Sequence, residues 1–451
     1  MALLRRKKLH KEVGMKKFIV IALALFLAVP AISFAGSATS RWDVTIGGYV
    51  KFDMGYMDQS HQGADYWSAS RHSDTSENIN DEYGNLFSAG GETRLNFLVQ
   101  GPDGWGAKTS AFVEGDFSGR TSGDGYGAFS LRHAFMKMQW ANDSLTIGHT
   151  WQRFGLMPSF ANILLAWNML GAFQKGTRQP QIMWEHNFNK NIGFALGIIS
   201  PTDSLGVSAT GAGTGAQKVD GWSRSPYPFG EGELYYTSDA CGKIGPWQML
   251  FSISGFYGQW KGIANAAGTD VTTSTTAVSS RFDDDDTDAW GLAFKAFIPI
   301  IPEKKGNKAG ALSLSGQAFA TQNPSWYLGP FALGSYQRAD GSLATPLLVG
   351  GWGQITYFFT DKLFISGWYG NMQYKLSERY RAQNAAVAYA AGRDQVKSEQ
   401  QYIVNLSYDV NPAMRLGIEY DRINTKYAAS VAGLERDGSM NAFRIGAWYF
   451  F

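Results

Sequence analysis

From Arg41 to its last residue the chain consists of short stretches in which apolar and polar side chains alternate, and the breaks between them are by turns short and long. A repeat of two is that of an extended strand, whose successive side chains point to opposite faces. In residues 94–100, Leu95, Phe97 and Val99 alternate with Arg94, Asn96 and Gln100. In residues 401–410, Tyr402, Val404, Leu406, Tyr408 and Val410 alternate with Gln401, Asn405, Ser407 and Asp409. Met414, Leu416, Ile418 and Tyr420 stand in the same way against Arg415, Gly417, Glu419 and Asp421. Alternation alone suits a soluble β-sandwich equally well. The connections separate the two cases. Short breaks fall at 101–104, 141–143, 188–191, 238–242, 302–308, 360–362 and 411–412. Long ones fall at 57–89, 118–127, 152–177, 201–228, 260–285, 323–345, 376–398 and 427–437. Seven short turns and eight long loops separate sixteen strands. Outer-membrane barrels have an even number of strands, with short turns at one rim and long loops at the other. A soluble sheet has no reason to gather its long loops at one end. The expectation is an all-β fold, a transmembrane antiparallel β-barrel of about sixteen strands.

Composition agrees by exclusion. Aromatic residues make up 14% of the chain, which is incompatible with intrinsic disorder. Only one apolar run approaches the roughly 20 residues of a spanning helix, so a helical bundle in the membrane is excluded. Cys241 is the single cysteine, which leaves no disulfide framework and no cysteine-rich metal site. That one apolar run, residues 18–29, follows Lys16 and Lys17 and precedes Ser33, Phe34 and Ala35, the layout of a cleavable secretory leader. Residues 1–14 read as an over-called start, 15–35 as the signal peptide, and 36–451 as one barrel domain. The leader region carries Arg5, Arg6, Lys7, Lys8, Lys11, Lys16 and Lys17 against Glu12, so its loss takes the formal charge from +2 to −4. A basic nucleic-acid-binding role goes with it.

Trp42, Trp105, Trp140 and Trp247 lie beside the first strand's start or a short turn, where a girdle of interfacial aromatics belongs. Phe443, Ile445, Ala447, Tyr449 and Phe451 share one face of the last strand. That ending resembles the C-terminal signal read by the barrel-assembly machinery, a partner alongside the outer-membrane lipids.

A sixteen-stranded barrel encloses an aqueous channel unless something fills it. The third long loop, 152–177, contains the run FGLMPSFANILLAWNMLGAF, too apolar for external water. It is expected to fold into the lumen, burying Leu164, Leu165, Trp167 and Leu170, with a trimer- or lipid-contact role as the alternative. Selectivity then falls to charged side chains lining the passage. Alternation assigns Arg94, Lys108, Glu114, Asp116, Arg132, Arg415, Glu419 and Arg444 to the lumen. Arg94 and Arg132 form a basic ladder suited to carboxylates, since a guanidinium pairs with a carboxylate bidentately. Glu114 and Asp116 either oppose them across the passage or pair with them to satisfy the wall. Arg153 and Arg178 flank the third loop as further candidates. His149 falls on the apolar parity of Leu145 and Ile147, at the rim or turned inward by a bulge. Asp283, Asp284, Asp285 and Asp286 read as a solvated loop end, with a weaker role in holding a divalent cation. No cofactor is expected.

Four stretches carry a resemblance. Residues 114–119 (EGDFSG), 131–135 (LRHAF), 148–151 (GHTW) and 178–182 (RQPQI) occur in an order and spacing similar to those of the DcaP-like porins. The match spans roughly residues 90–185. It implies a homotrimer of sixteen-stranded barrels in the outer membrane of a Gram-negative bacterium, taking up small dicarboxylates and related anions. The resulting expectation is a passive diffusion channel for small hydrophilic solutes, with anion or dicarboxylate preference as its sharper form. Two alternatives are an outer-membrane enzyme and an adhesin built on a barrel. The first needs an activated nucleophile or acid pair near the rim, and no Gly-x-Ser-x-Gly elbow or His placed by motif beside a Ser supplies one. The second leaves the apolar third loop without a purpose.

Overall fold

Sixteen strands, each hydrogen-bonded to its sequence neighbours, close into an antiparallel barrel. The computed structural model describes residues 42–59, 68–72, 84–119, 127–155, 178–201, 225, 227–264, 281–322, 333, 336–337, 343–381 and 395–451. The leader region and most of each long loop except 427–437, including residues 156–177, lie outside them. The strands are β1 (Asp43–Met57), β2 (Asn85–Ala89), β3 (Arg94–Gln100), β4 (Lys108–Gly119), β5 (Ala128–Gln139), β6 (Asp143–Trp151), β7 (Arg178–Asn187), β8 (Ile192–Ile199), β9 (Phe229–Ile244) and β10 (Trp247–Ala264). They continue with β11 (Arg281–Ile301), β12 (Leu312–Gln322), β15 (Leu347–Phe358), β16 (Leu363–Lys375), β17 (Val396–Asn411), β18 (Met414–Tyr427) and β19 (Asp437–Phe450). Two long loops hold small elements of their own, the hairpin β13 (Tyr336–Gln337) with β14 (Leu343–Ala344), and the helical turn α1 (Glu378–Tyr380).

β2 and β3 are two halves of one wall strand. Both pair with β1, and the chain between them turns at residues 90–93. The ring shuts where β19 meets β1 in the register Tyr49↔Phe450 to Met57↔Ala442. Phe451 completes the seam, its N–H donating to the Gly48 carbonyl at 3.2 Å and its carbonyl accepting from the Gly48 N–H at 3.1 Å.

The faces are inside-out relative to a soluble protein. On β19, Phe443 and Ile445 are exposed while Arg444 between them is buried. On β17, Tyr402 and Val404 are exposed while Gln401 and Asn405 are buried. An apolar exterior of this kind is solvated by hydrocarbon, where an Arg or Lys at mid-depth costs about 2–4 kcal/mol. A register slip of one residue would turn every charged lumen position outward, so the pattern locks the register. Inside, toward the long-loop end of the later strands, Phe229, Phe256, Trp260, Phe319, Leu348 and Met372 join one buried apolar cluster.

The seven short turns all form, one of them displaced. Residues 238–242 look like a turn because they are polar and end in glycine, yet β9 runs on to Ile244 and reverses at Gly245, whose φ is +56°. Gln248 pairs with Lys243 and Met249 with Ser238, so residues 239–242 are an expanded bulge that leaves Cys241 exposed. Several long loops are also shorter than expected. β2 lies in the span read as the first loop, and β10 and β11 extend into the fifth. The four aspartates at 283–286 therefore stand on β11, with Asp286 opposite Lys261, rather than in a solvated loop. Among the described residues no cluster of three or more potential metal ligands occurs.

Candidate pore-lining site

The four stretches that carry the family resemblance land on four adjacent strands, β4 to β7, and their polar side chains meet on the inner wall. β4 supplies Glu114 and Asp116 at inward positions, between exposed Val113 and Phe117. Opposite them β5 carries an extra residue. The pairing passes from Glu114↔His133 to Gly115↔Leu131 and skips Arg132. A bulge of this kind re-aims side chains. Here Leu131 is exposed while Arg132 and His133 are both buried.

Arg132 then spans both carboxylates, its Nε donating to Glu114 Oε1 at 3.0 Å and its Nη1 to Asp116 Oδ2 at 2.6 Å. Asp116 also accepts from the Ser118 hydroxyl at 2.5 Å. Arg94 approaches the same Glu114 oxygen at 3.5 Å and stacks over the Tyr49 ring, 5.0 Å from its centroid. His133 sets Nδ1 2.9 Å from Thr150 Oγ1 and packs edge-on against Phe112, Phe135 and Trp151. Arg178 lies over the Trp151 ring at 4.6 Å, within electrostatic range of Arg132, Arg94, Asp116 and Glu114. The structure thus brings together Arg94, Glu114, Asp116, Arg132 and Arg178, three guanidiniums against two carboxylates. They are not equivalent. The Arg132 side chain is 4% exposed and doubly paired, whereas that of Arg94 is 19% exposed and held by one longer contact.

Lys108 stands apart. It lies at the start of β4 next to the short turn, largely exposed, and pairs with Asp103 at 2.8 Å. Arg153 joins a second cluster on a different part of the wall. It is ion-paired to Glu185 of β7 and lies 3.6 Å from Glu233 of β9, which also holds Lys295 of β11 at 2.5 Å. Lys295 donates in addition to the Arg153 carbonyl at 3.0 Å, and the Phe154 N–H donates to Glu231 at 2.6 Å. The Phe154 ring meets Phe256 edge-on at 4.9 Å. The first residues of the third loop therefore leave the wall at β6 and contact inward side chains of β9, β10 and β11.

Two more ion-pair groups stand on the wall, the first outside the sequence expectation and the second built on Glu419 and Arg444, which alternation assigns to the lumen. Lys51 holds Glu92 at 2.5 Å and Asp53 at 3.1 Å. Arg444 holds Asp421 at 2.7 Å and lies 3.6 Å from Glu419. Parity along β1 and β18 carries the signal for Lys51, Asp53 and Asp421. Arg415, expected in the lumen, pairs with Asp409 near a short turn at 2.5 Å.

Neither the family models nor the curated proteins contain a match to this sequence. Among solved structures, the outer membrane channel DcaP of Acinetobacter baumannii superposes with a TM-score of 0.64 at 18% identity, over 91% of this chain and 97% of that one. OmpT, an outer membrane protein of Vibrio cholerae, in its trimer form, reaches 0.48 at 11% identity over 91% and 99% of the two chains. OprB of Pseudomonas putida reaches 0.46 at 10% identity over 90% and 94%. The closed sixteen-stranded wall and its whole-length superposition on that channel give the chain a DcaP-like porin fold.

Proposed function

We propose that the chain is a passive diffusion channel of the outer membrane of a Gram-negative bacterium, exported through a cleaved signal peptide and working as a homotrimer. One observation carries the reading. The wall is apolar outside and lined inside with ion-paired and hydrogen-bonding side chains, the partition expected of a water-filled passage through a bilayer. The fold shared with the DcaP channel supports it. The sharper form of the proposal is preference for anions, dicarboxylates among them. It rests on the excess of guanidinium over carboxylate in the group of Arg94, Arg132 and Arg178 with Glu114 and Asp116, since fixed charge in a narrow passage selects the opposite sign.

Reconstitution in a planar bilayer under a KCl gradient tests both levels. The expected result is a stable ohmic conductance with a reversal potential displaced toward that of chloride. A barrel that inserts without conducting overturns the channel; reversal toward the potassium potential overturns only the anion preference.

A further inference from the structure

The charged groups of the lumen largely satisfy one another, but one arc of the wall carries uncharged polar atoms without hydrogen-bond partners. Gln317 of β12 and Trp352 of β15 are direct cross-strand partners, both facing inward, 4% and 5% exposed. Neither the amide oxygen nor the amide nitrogen of Gln317 has a hydrogen-bond partner, and neither has the indole N–H of Trp352. Two positions along β15, Gln354 is equally buried, with its nitrogen donating to Thr356 at 3.0 Å and its oxygen unpartnered. Trp368 of β16 is the cross-strand partner of Gln354 and lies nearly parallel to Trp352, 27° between the planes and 6.1 Å between centroids. Toward β10 the arc continues with Ser252, whose buried hydroxyl is also without a partner. The cation within this arc, Lys295, is the partner of Gln317 on β11 and is engaged by Glu233 and the Arg153 carbonyl.

Buried polar atoms are nearly always hydrogen-bonded, so orphans gathered on one wall mark where an outside partner is received. Its chemistry is specific. A free amide offers a donor and an acceptor, the indole N–H a donor, a second amide oxygen an acceptor, and two near-parallel indoles a broad apolar face. None carries charge. A carboxylate would leave the acceptors unmet. A ring bearing several hydroxyls, each both donor and acceptor, meets the amides and the N–H with its edge and sets its C–H face on the indoles. We infer that this arc, Gln317, Trp352, Gln354, Trp368 and Ser252, is a subsite for neutral polyhydroxylated rings of the pyranose type, opposite in character to the arginine-rich wall. The inference goes beyond the anion preference and rests on the channel reading only in that solutes reach the lumen.

The test uses the folded barrel in two assays. Calorimetric titration with glucose and maltose reports binding whether or not the barrel conducts, and single-channel recording with the same sugars reports occupancy of the path. The expected result is saturable binding together with reversible, concentration-dependent current block. Both should weaken at least fivefold in Gln317→Leu and in Trp352→Phe, which keeps the apolar face and removes the N–H. Block by succinate should be unchanged in both variants. A linear polyol such as mannitol that binds as well as glucose, or sugar binding indifferent to both substitutions, overturns the subsite, water then being the partner of these groups. A barrel that binds sugar without conducting keeps the subsite and overturns the channel. A barrel that conducts without binding sugar does the reverse.

Discussion

Arg132 and Arg94 sit side by side in the sequence expectation and diverge in the structure, and the divergence sets what each substitution should do. Arg132 neutralises Glu114 and Asp116 at once from a buried position. Removing one member of a buried ion pair typically costs about 3–5 kcal/mol, because the remaining charge is left uncompensated. Arg132→Ala should therefore lower the temperature at which the folded band collapses in heat-modifiability gels by several degrees. In bilayers it should move selectivity toward cations, two carboxylates then facing the passage. Arg94→Ala leaves Glu114 with its stronger partner. It should reduce anion selectivity with no more than a degree or two of thermal change. Equal thermal shifts in the two variants would refute this division of labour. The positions of these residues were legible in the alternation; their roles were not. Arg132 and His133 are neighbours that point the same way only because β5 bulges at Arg132, opposite Glu114 and Gly115 of β4. A strict repeat of two sends one of them outward. A bulge depends on how two strands are paired across the sheet, and one strand's own pattern does not record that.

At the scale of elements the sequence was more informative about ends than about pairings. The third loop begins and finishes where β6 and β7 place it, after Trp151 and before Arg178. Gly242 invited a turn that the chain makes three residues later at Gly245, because a positive-φ glycine serves a bulge as well as a reversal. What no stretch of sequence shows is the seat of the loop's entry. Phe154 sits between Phe256 and Gly291, and a side chain at Gly291 would collide with both rings, its Cβ only 2.7 Å from Phe154 Cζ. Phe154→Ala removes the ring and Gly291→Val removes its seat. Either should loosen the entry of the loop and raise the low-frequency noise of the open-channel current severalfold. Noise at the wild-type level in both variants would mean that the ion pairs of Arg153 hold the segment without help from the ring.

For the whole molecule, closure is the decisive feature. Sixteen strands leave no free edge once β19 meets β1, so the wall satisfies its own backbone throughout the hydrocarbon layer. The seam runs to the last residue, with Phe451 and Gly48 exchanging both hydrogen bonds. The alternation made closure foreseeable, and because successive antiparallel strands reverse at opposite rims, connections that are by turns short and long put all the short turns at one rim. The bulge in β9 near that rim has a practical meaning of its own. Cys241 is exposed there and is the chain's single thiol, so the native protein carries one chemically addressable point at a known end of the barrel. A membrane-impermeant maleimide should label it in spheroplast preparations with the outer membrane opened, and leave it unlabelled on intact cells. Labelling of intact cells would mean that the barrel stands the other way up. The same thiol, joined to a spin label or a fluorophore, turns the unmodified sequence into its own reporter of orientation and depth.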